Sequence, residues 1–122
     1  MSRNTFDGGG EDARVPGHSP KPGLVHGDVW SGNVLARNGR ITAMLDPAIY
    51  FADPEVELAF IELFATFGEA FWERYGELRP IDPGYREVRR DVYQLYPLLV
   101  HTALFGGGYV RAVGERLEWL GY

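Results

Sequence analysis

Residues 23–47, GLVHGDVWSGNVLARNGRITAMLDP, decide the reading of this chain. They hold three short apolar runs: Leu24-Val25, Asn33 to Ala36, and Ile41 to Leu45. Asn38-Gly39 separates the second run from the third. An Asn-Gly pair between two apolar runs is the strongest short-range hairpin signal, because both residues tolerate the left-handed conformations that a tight hairpin turn demands. His26-Gly27-Asp28 follows the first run, Asn33 lies five residues after Asp28, and the third run ends on Asp46. A hairpin closed at Asn38-Gly39 brings the segment around Asp28 and Asn33 back beside Asp46. Two carboxylates and an amide oxygen are hard oxygen ligands of the kind Mg²⁺ prefers. They are too few for an all-protein cage, so water and substrate phosphates would complete the shell.

Phosphoryl transfer needs such a set: an Asp near the attacking hydroxyl, and an Asn and a second Asp on the metal. The kinase pattern is His-x-Asp, then an Asn, then an Asp at the end of a later hairpin. Here that reads His26, Asp28, Asn33, Asp46. The segment His26-Gly27-Asp28-Val29-Trp30-Ser31-Gly32-Asn33, followed by Asp46-Pro47-Ala48, resembles the catalytic segment of the fructosamine kinase (ketosamine-3-kinase) family. That family belongs with the aminoglycoside phosphotransferase and choline kinase group, which shares the protein-kinase-like fold. The likeness continues through Glu57-Leu58-Ala59, Glu62-Leu63-Phe64, Tyr93-Gln94-Leu95-Tyr96 and Leu104-Phe105-Gly106-Gly107-Gly108-Tyr109, covering about residues 21 to 122. The eight-residue motif with its Trp is what singles out this family within the wider group.

Composition narrows the alternatives. At 122 residues the chain is one domain at most. A hydrophobic content of 45% with 14% aromatics is enough for a core. Net charge is −5 and Lys21 is the only lysine, which argues against a nucleic-acid or acidic-membrane surface. There is no cysteine, hence no disulfide and no thiolate site. No apolar run reaches membrane-span length and the N-terminus has no signal-peptide core, so a cytoplasmic location is expected.

Residues 1–22 read as unstructured, with Gly8-Gly9-Gly10, three prolines and no apolar period. The glycines do not form the Gly-x-Gly-x-x-Gly spacing of a phosphate loop. A kinase carries its Gly-rich loop, its phosphate-binding lysine and the glutamate that pairs with it on an N-terminal lobe. Nothing upstream of His26 is long enough to be that lobe. Lys21 lies between prolines, and no phosphate lysine is identified. The resemblance therefore implies a C-terminal lobe alone: an α+β, mostly α unit over residues 23–122, with a short β-hairpin carrying the catalytic loop and about four helices after it.

Pro47 to Ala52 reads as an irregular link. Asp53-Pro54 predicts an N-cap with proline at the first helical position. Val56, Ala59, Phe60, Leu63, Phe64 and Phe67 form a helical stripe ended by Gly68. Residues 69–78 predict a second helix with Phe71, Trp72 and Tyr75 on one side, and Pro80 to Gly84 a turn. A third helix is predicted from Tyr85 with Tyr85, Val88, Val92, Leu95, Tyr96 and Leu99 inward and Pro97 kinking or ending its first half. A last helix, about 109–120, would turn Val110, Val113, Leu117 and Leu120 inward.

Asp28 is the candidate catalytic residue, accepting or orienting the acceptor's hydroxyl proton. Asn33 and Asp46 are the candidate magnesium ligands. His26 reads as loop support, an imidazole tied to backbone carbonyls; no His spacing supports a zinc site of His26, Asp28 and His101. By resemblance Glu57 braces the catalytic loop and Trp30, which could otherwise be a core anchor, forms a flat wall for the substrate's carbons. Tyr96 and His101 are further candidate substrate contacts, and the helical spacing of Tyr96 equally suits a core. Pro97 and Val100 depart from the polar residues family members often carry there. The implied reaction moves the γ-phosphate of ATP, with Mg²⁺, to a sugar-derived hydroxyl of a ketosamine, a deglycation or repair step. Another aminoglycoside- or choline-type kinase, and a catalytically silent lobe or interaction module, are the alternatives. Helix surface that an N-terminal lobe would cover predicts self-association.

Overall fold

The computed structural model describes residues 21–122. The expectations for residues 1–22, including the one that Gly8 to Gly10 form no phosphate loop, fall outside the described residues except at Lys21 and Pro22. Eight regular elements follow in the order β1 (Gly23–Val25), β2 (Val34–Arg37), β3 (Arg40–Met44), β4 (Tyr50–Ala52), α1 (Pro54–Leu63), α2 (Glu69–Leu78), α3 (Arg90–Phe105) and α4 (Gly108–Trp119). The architecture is α+β and mostly α, with two separate antiparallel strand pairs. None of the described helices is long and apolar enough to cross a membrane.

The hairpin forms where Asn38-Gly39 predicts it. β2 pairs with β3 from Val34↔Met44 to Arg37↔Arg40, with an irregularity between Leu35 and Ala36. Asn38 and Gly39 stand at φ 52° and 75°, both left-handed, as the tight turn requires. β1 does not join this pair. It pairs with β4 instead, Gly23↔Ala52 to Val25↔Tyr50. The irregular link predicted over Pro47 to Ala52 thus shrinks to its first half. β1 has backbone groups to satisfy, and the aromatic Tyr50-Phe51 suits a pleated surface.

α1 starts as expected: the Asp53 side chain accepts from the Glu55 N–H at 3.0 Å and Pro54 occupies the first helical position. It ends earlier than the apolar stripe predicts. The Ala65 N–H donates to Glu62 O at 3.2 Å and the Thr66 N–H to Ile61 O at 3.1 Å, with Ala65 at φ 48°. This is a Schellman C-cap, and it turns the chain before Phe67 can continue the helix. Phe67 instead packs on Phe71 of α2, ring centroids 4.8 Å apart. The fully buried core centres on Leu58, Ala59 and Tyr85, with Phe71, Trp72, Tyr75, Ile81 and Tyr93 packed against it. α2 matches its predicted span and face.

The third helix differs in two ways. A π-helical turn, Tyr85–Arg89, precedes α3, and α3 runs unbroken through Pro97. Proline forfeits one ladder hydrogen bond here, a loss tolerated by a helix packed on both α1 and α4. The predicted inward stripe is also displaced: Val92, Tyr96 and Leu99 are exposed, while Arg89, Asp91, Gln94 and Leu98 are buried. The π turn adds a residue to the helical period. Arg89 and Gln94 are hydrogen-bonded, while Asp91 is ion-paired with Arg116 at 3.5 Å and its buried Oδ2 accepts no hydrogen bond among the described residues. Arg89 makes a bidentate pair with Glu55 at 2.7 and 3.0 Å. Gln94 donates to Ala59 O at 3.1 Å and accepts from Arg116 of α4 at 2.9 Å. On α4, Val113 and Leu120 are half-buried, but Val110 and Leu117 are exposed. The strand pairs leave Leu24, Leu35, Ile41, Met44 and Phe51 exposed.

Candidate active site

The site is the loop that leaves β1 and re-enters the hairpin through a 3₁₀ turn at Ser31–Asn33. Asp28 and Asn33 meet directly: Asn33 Nδ2 donates to Asp28 Oδ2 and to Asp28 O, each at 3.0 Å. Two acceptors on one side fix the amide's orientation, so its nitrogen faces Asp28 and its Oδ1 is the atom left to accept or ligate. Asn33 is buried and Asp28 half-buried.

Asp46 arrives from the other end of the hairpin. The Leu45 N–H donates to Asn33 O at 2.8 Å, extending the β2–β3 ladder, so Asp46 follows immediately after the residue opposite Asn33. Asp46 is exposed and left-handed at φ 46°, a conformation Asp adopts more readily than most residues. The Ala48 N–H then donates to His26 O at 2.8 Å, closing the segment back onto the Asp28 loop.

His26 is tied on both ring nitrogens. Nε2 lies 2.8 Å from Leu45 O and the Asp28 N–H donates to Nδ1 at 3.2 Å. A carbonyl can only accept, so the proton is on Nε2 and Nδ1 is the acceptor. Neither nitrogen is left for a metal. Glu57, in the first turn of α1, accepts the His26 N–H on Oε2 at 3.1 Å and the Gly27 N–H on Oε1 at 2.8 Å. Gly27 has no substitute here. It stands at φ 89°, and a Cβ on it would run into the Ala48 carbonyl oxygen.

Asp28 opens onto a cleft of about 700 Å³ between this loop, β4, α1 and α3. Tyr50, Phe60, Tyr93 and Tyr96 supply aromatic walls, and Glu57, Val100 and His101 also line it. Of the three candidate substrate contacts, Tyr96 and His101 share this cleft with Asp28. Trp30 does not; its half-exposed indole lies over Gly32, where a Cβ would meet the ring. His101 Nδ1 lies 2.7 Å from Pro97 O, and its ring packs among Phe64, Phe105 and Tyr109. Burial, then the charge of Glu57, raises the Tyr50 phenol above its ordinary value. Burial and a hydrogen bond to Asp53 hold Tyr93 far above the phenol range. Lys21 lines a different hollow, with Asp53, Tyr75 and Arg79.

Among the described residues no group of three or more His, Cys, Asp or Glu is placed to hold a metal ion. The donor set that the loop and hairpin provide, Asn33 Oδ1 and the Asp46 carboxylate, fits a magnesium ion that draws most of its shell from phosphate and water. Tyr50 and Phe60 are cleft residues that motif reading does not single out. Gly27 sits inside the motif, and its left-handed φ explains why Gly is there. Thr66, which also reaches the loop, has no local signal at all.

Residues 11–120 match the family model described as fructosamine kinase. A probable ketoamine kinase of Synechocystis sp. is 46% identical over 99 residues, covering 81% of this chain and 33% of that protein. A probable ketoamine kinase of Vibrio parahaemolyticus is 47% identical over 95 residues, covering 77% and 32%. Among solved structures, a protein assigned as a fructosamine-3-kinase from Thermobifida fusca superimposes with a TM-score of 0.74 at 33% identity, covering 86% of this chain and 36% of that one. The chain spans about a third of the length of the curated relatives it matches, 33% and 32% for these two. With its family model matched over nearly its whole length, the chain belongs to the fructosamine kinase family.

Proposed function

We propose that this chain carries the catalytic loop of an ATP-dependent kinase that phosphorylates a sugar-derived hydroxyl of a ketosamine, on the C-terminal lobe of a protein-kinase-like fold. The observation that carries the reading is the Asp28 carboxylate, held by Asn33 Nδ2 at 3.0 Å and facing an aromatic cleft. The acceptor hydroxyl attacks the γ-phosphorus of ATP, its proton passes to Asp28, the bond to the bridging oxygen breaks and ADP leaves. Asp28 works mainly by orienting the hydroxyl, because phosphoryl transfer depends on position and charge neutralisation. Bound between Asn33 Oδ1 and Asp46, magnesium would neutralise charge on the phosphates. His26 and Glu57 keep the loop in place beneath.

The cleft suits an amine-bearing acceptor. Its described lining includes two carboxylates, Asp28 and Glu57, and four aromatic rings, with no Lys or Arg among the lining residues. A protonated secondary amine is attracted by both the carboxylates and the ring faces. Tyr96 and His101 line the cleft with Asp28 and would contact the acceptor there, whereas the exposed Trp30 ring lies outside it.

The test is incubation of a two-lobed version, with a nucleotide-binding N-terminal lobe joined to this chain, with Mg·ATP and a fructosyl-amine, followed by mass spectrometry of the product. Addition of one phosphate is expected, and Asp28→Asn should lower the rate by roughly 10²–10⁴-fold, the range for a positioned acid–base group. An unphosphorylated adduct, or an Asp28→Asn chain as fast as the parent, would refute the assignment.

A further inference from the structure

Asp28 is held from two sides by the same helix. Upstream, Glu57 in the first turn of α1 binds the His26 and Gly27 N–H groups. Downstream, Thr66, just past the last turn of α1, donates its hydroxyl to Val29 O at 2.8 Å across 37 residues of sequence. Val29 is the residue after Asp28, and it is 1% exposed. Its carbonyl lies in a part of the loop where a lost partner is costly. Thr66 reaches that carbonyl because the chain turns at Ala65, whose φ of 48° is left-handed. The Thr66 N–H is itself anchored to Ile61 O at 3.1 Å, so the side chain starts from a fixed backbone.

We propose that Thr66 is a positioning residue for Asp28: its hydroxyl and Glu57 form a two-point clamp that sets the Asp28 carboxylate against the cleft. The inference rests on the reading of Asp28 given above. Val56 and Phe60, also on α1, line the cleft that Asp28 faces. One rigid element therefore builds a wall of the cleft and fixes both flanks of the aspartate. Thr66 acts through the Val29 peptide and does not line the cleft itself.

The test uses Thr66→Val, which removes the hydroxyl at nearly constant volume, and Thr66→Ser, which keeps it. Amide hydrogen exchange read residue by residue reports on the clamp without turnover. The sensitive amides are Asp28, bonded to His26 Nδ1, and Trp30, bonded to Asp28 O at 3.1 Å. Thr66→Val should speed exchange at both by roughly tenfold, the scale of one lost hydrogen bond, while the amides of α3 keep the parent rate. Thr66→Ser should restore the parent rates. In the phosphotransfer assay Thr66→Val should lower kcat and leave KM for the acceptor unchanged, again with rescue by Ser. The proposal is overturned by unchanged exchange at Asp28 and Trp30, by a Ser variant that behaves as Val does, or by equal acceleration throughout α3. A two-lobed parent that transfers no phosphate would count against the reaction assigned to Asp28, while exchange alone would still decide whether Thr66 holds the loop.

Discussion

Glu57→Gln is the substitution that most directly weighs the support of the Asp28 loop. In the parent, one carboxylate meets two backbone donors, the His26 N–H at 3.1 Å and the Gly27 N–H at 2.8 Å. Both bonds are charge-assisted, and bonds of that kind contribute about 1.5–3 kcal/mol each. Glutamine is the same size but carries only one oxygen. Whichever way the amide turns, one N–H keeps a neutral acceptor and the other faces an NH₂ group. The net loss is one charged bond plus the weakening of its neighbour, about 2–3 kcal/mol. For a domain of this size, that corresponds to a fall in Tm of about 10–20 °C. The assay is thermal and urea unfolding, with Glu69→Gln as control. Glu69 is an exposed acid in the first turn of α2, where losing a charge costs about 0.5 kcal/mol. Amide exchange should localise the effect, with His26 and Gly27 losing protection first. A Glu57→Gln chain no less stable than the Glu69→Gln control, or unchanged exchange at His26 and Gly27, would refute the brace.

Two further outcomes test the fold around the site. Ala65→Gly should stabilise the chain, because a left-handed alanine costs about 1–2 kcal/mol and the looser unfolded glycine returns about 0.4–1 kcal/mol of that; a gain of about 1 kcal/mol is expected in urea unfolding, and a loss would mean that the C-cap is not strained. The tyrosines predict an alkaline limit. Burial first, then the charge of Glu62, holds the Tyr85 phenol far above its ordinary value of 10.0, and burial with the Asp53 hydrogen bond does the same for Tyr93. Above pH 10 the unfolded chain loses these protons while the folded chain keeps them, so stability is fully present below pH about 10 and falls as pH rises beyond it. Tyr85→Phe should flatten that alkaline limb, and an unchanged slope would remove Tyr85 as its cause.

What could be read from the residues alone divides along the range of the interactions. The Asn38-Gly39 turn, the Asp53-Pro54 cap and the span of α2 are set by neighbours in sequence, and each appears where its local signal lies. The face of α3 is not. An apolar stripe places Val92, Tyr96 and Leu99 inside, yet the buried positions include Arg89, Asp91 and Gln94. These polar groups are buried because their partners, Glu55, the Ala59 carbonyl and Arg116, arrive from α1 and α4, and no spacing within α3 reveals that. β4 escapes notice for the same reason: three residues become a strand only because β1 has no other partner.

The site follows the same division. Asp28 and Asn33 are five residues apart and bond to each other directly, and Asp46 follows the residue paired with Asn33 across the hairpin, so this grouping is legible in the spacing. The groups that hold this motif still are remote: Glu57 is 30 residues from Gly27, and Thr66 is 37 from Val29. Family resemblance points to the first, and nothing in the sequence points to the second. The reason is physical. A backbone N–H or carbonyl accepts help from many side-chain types, so the residue that satisfies it need not look catalytic. Chemistry restricts which residues can ligate or take a proton, whereas support restricts only where an oxygen must stand. In this chain that second requirement is met by Glu57 in the first turn of α1 and Thr66 just past its last turn, and their geometry is visible only once the helix is placed.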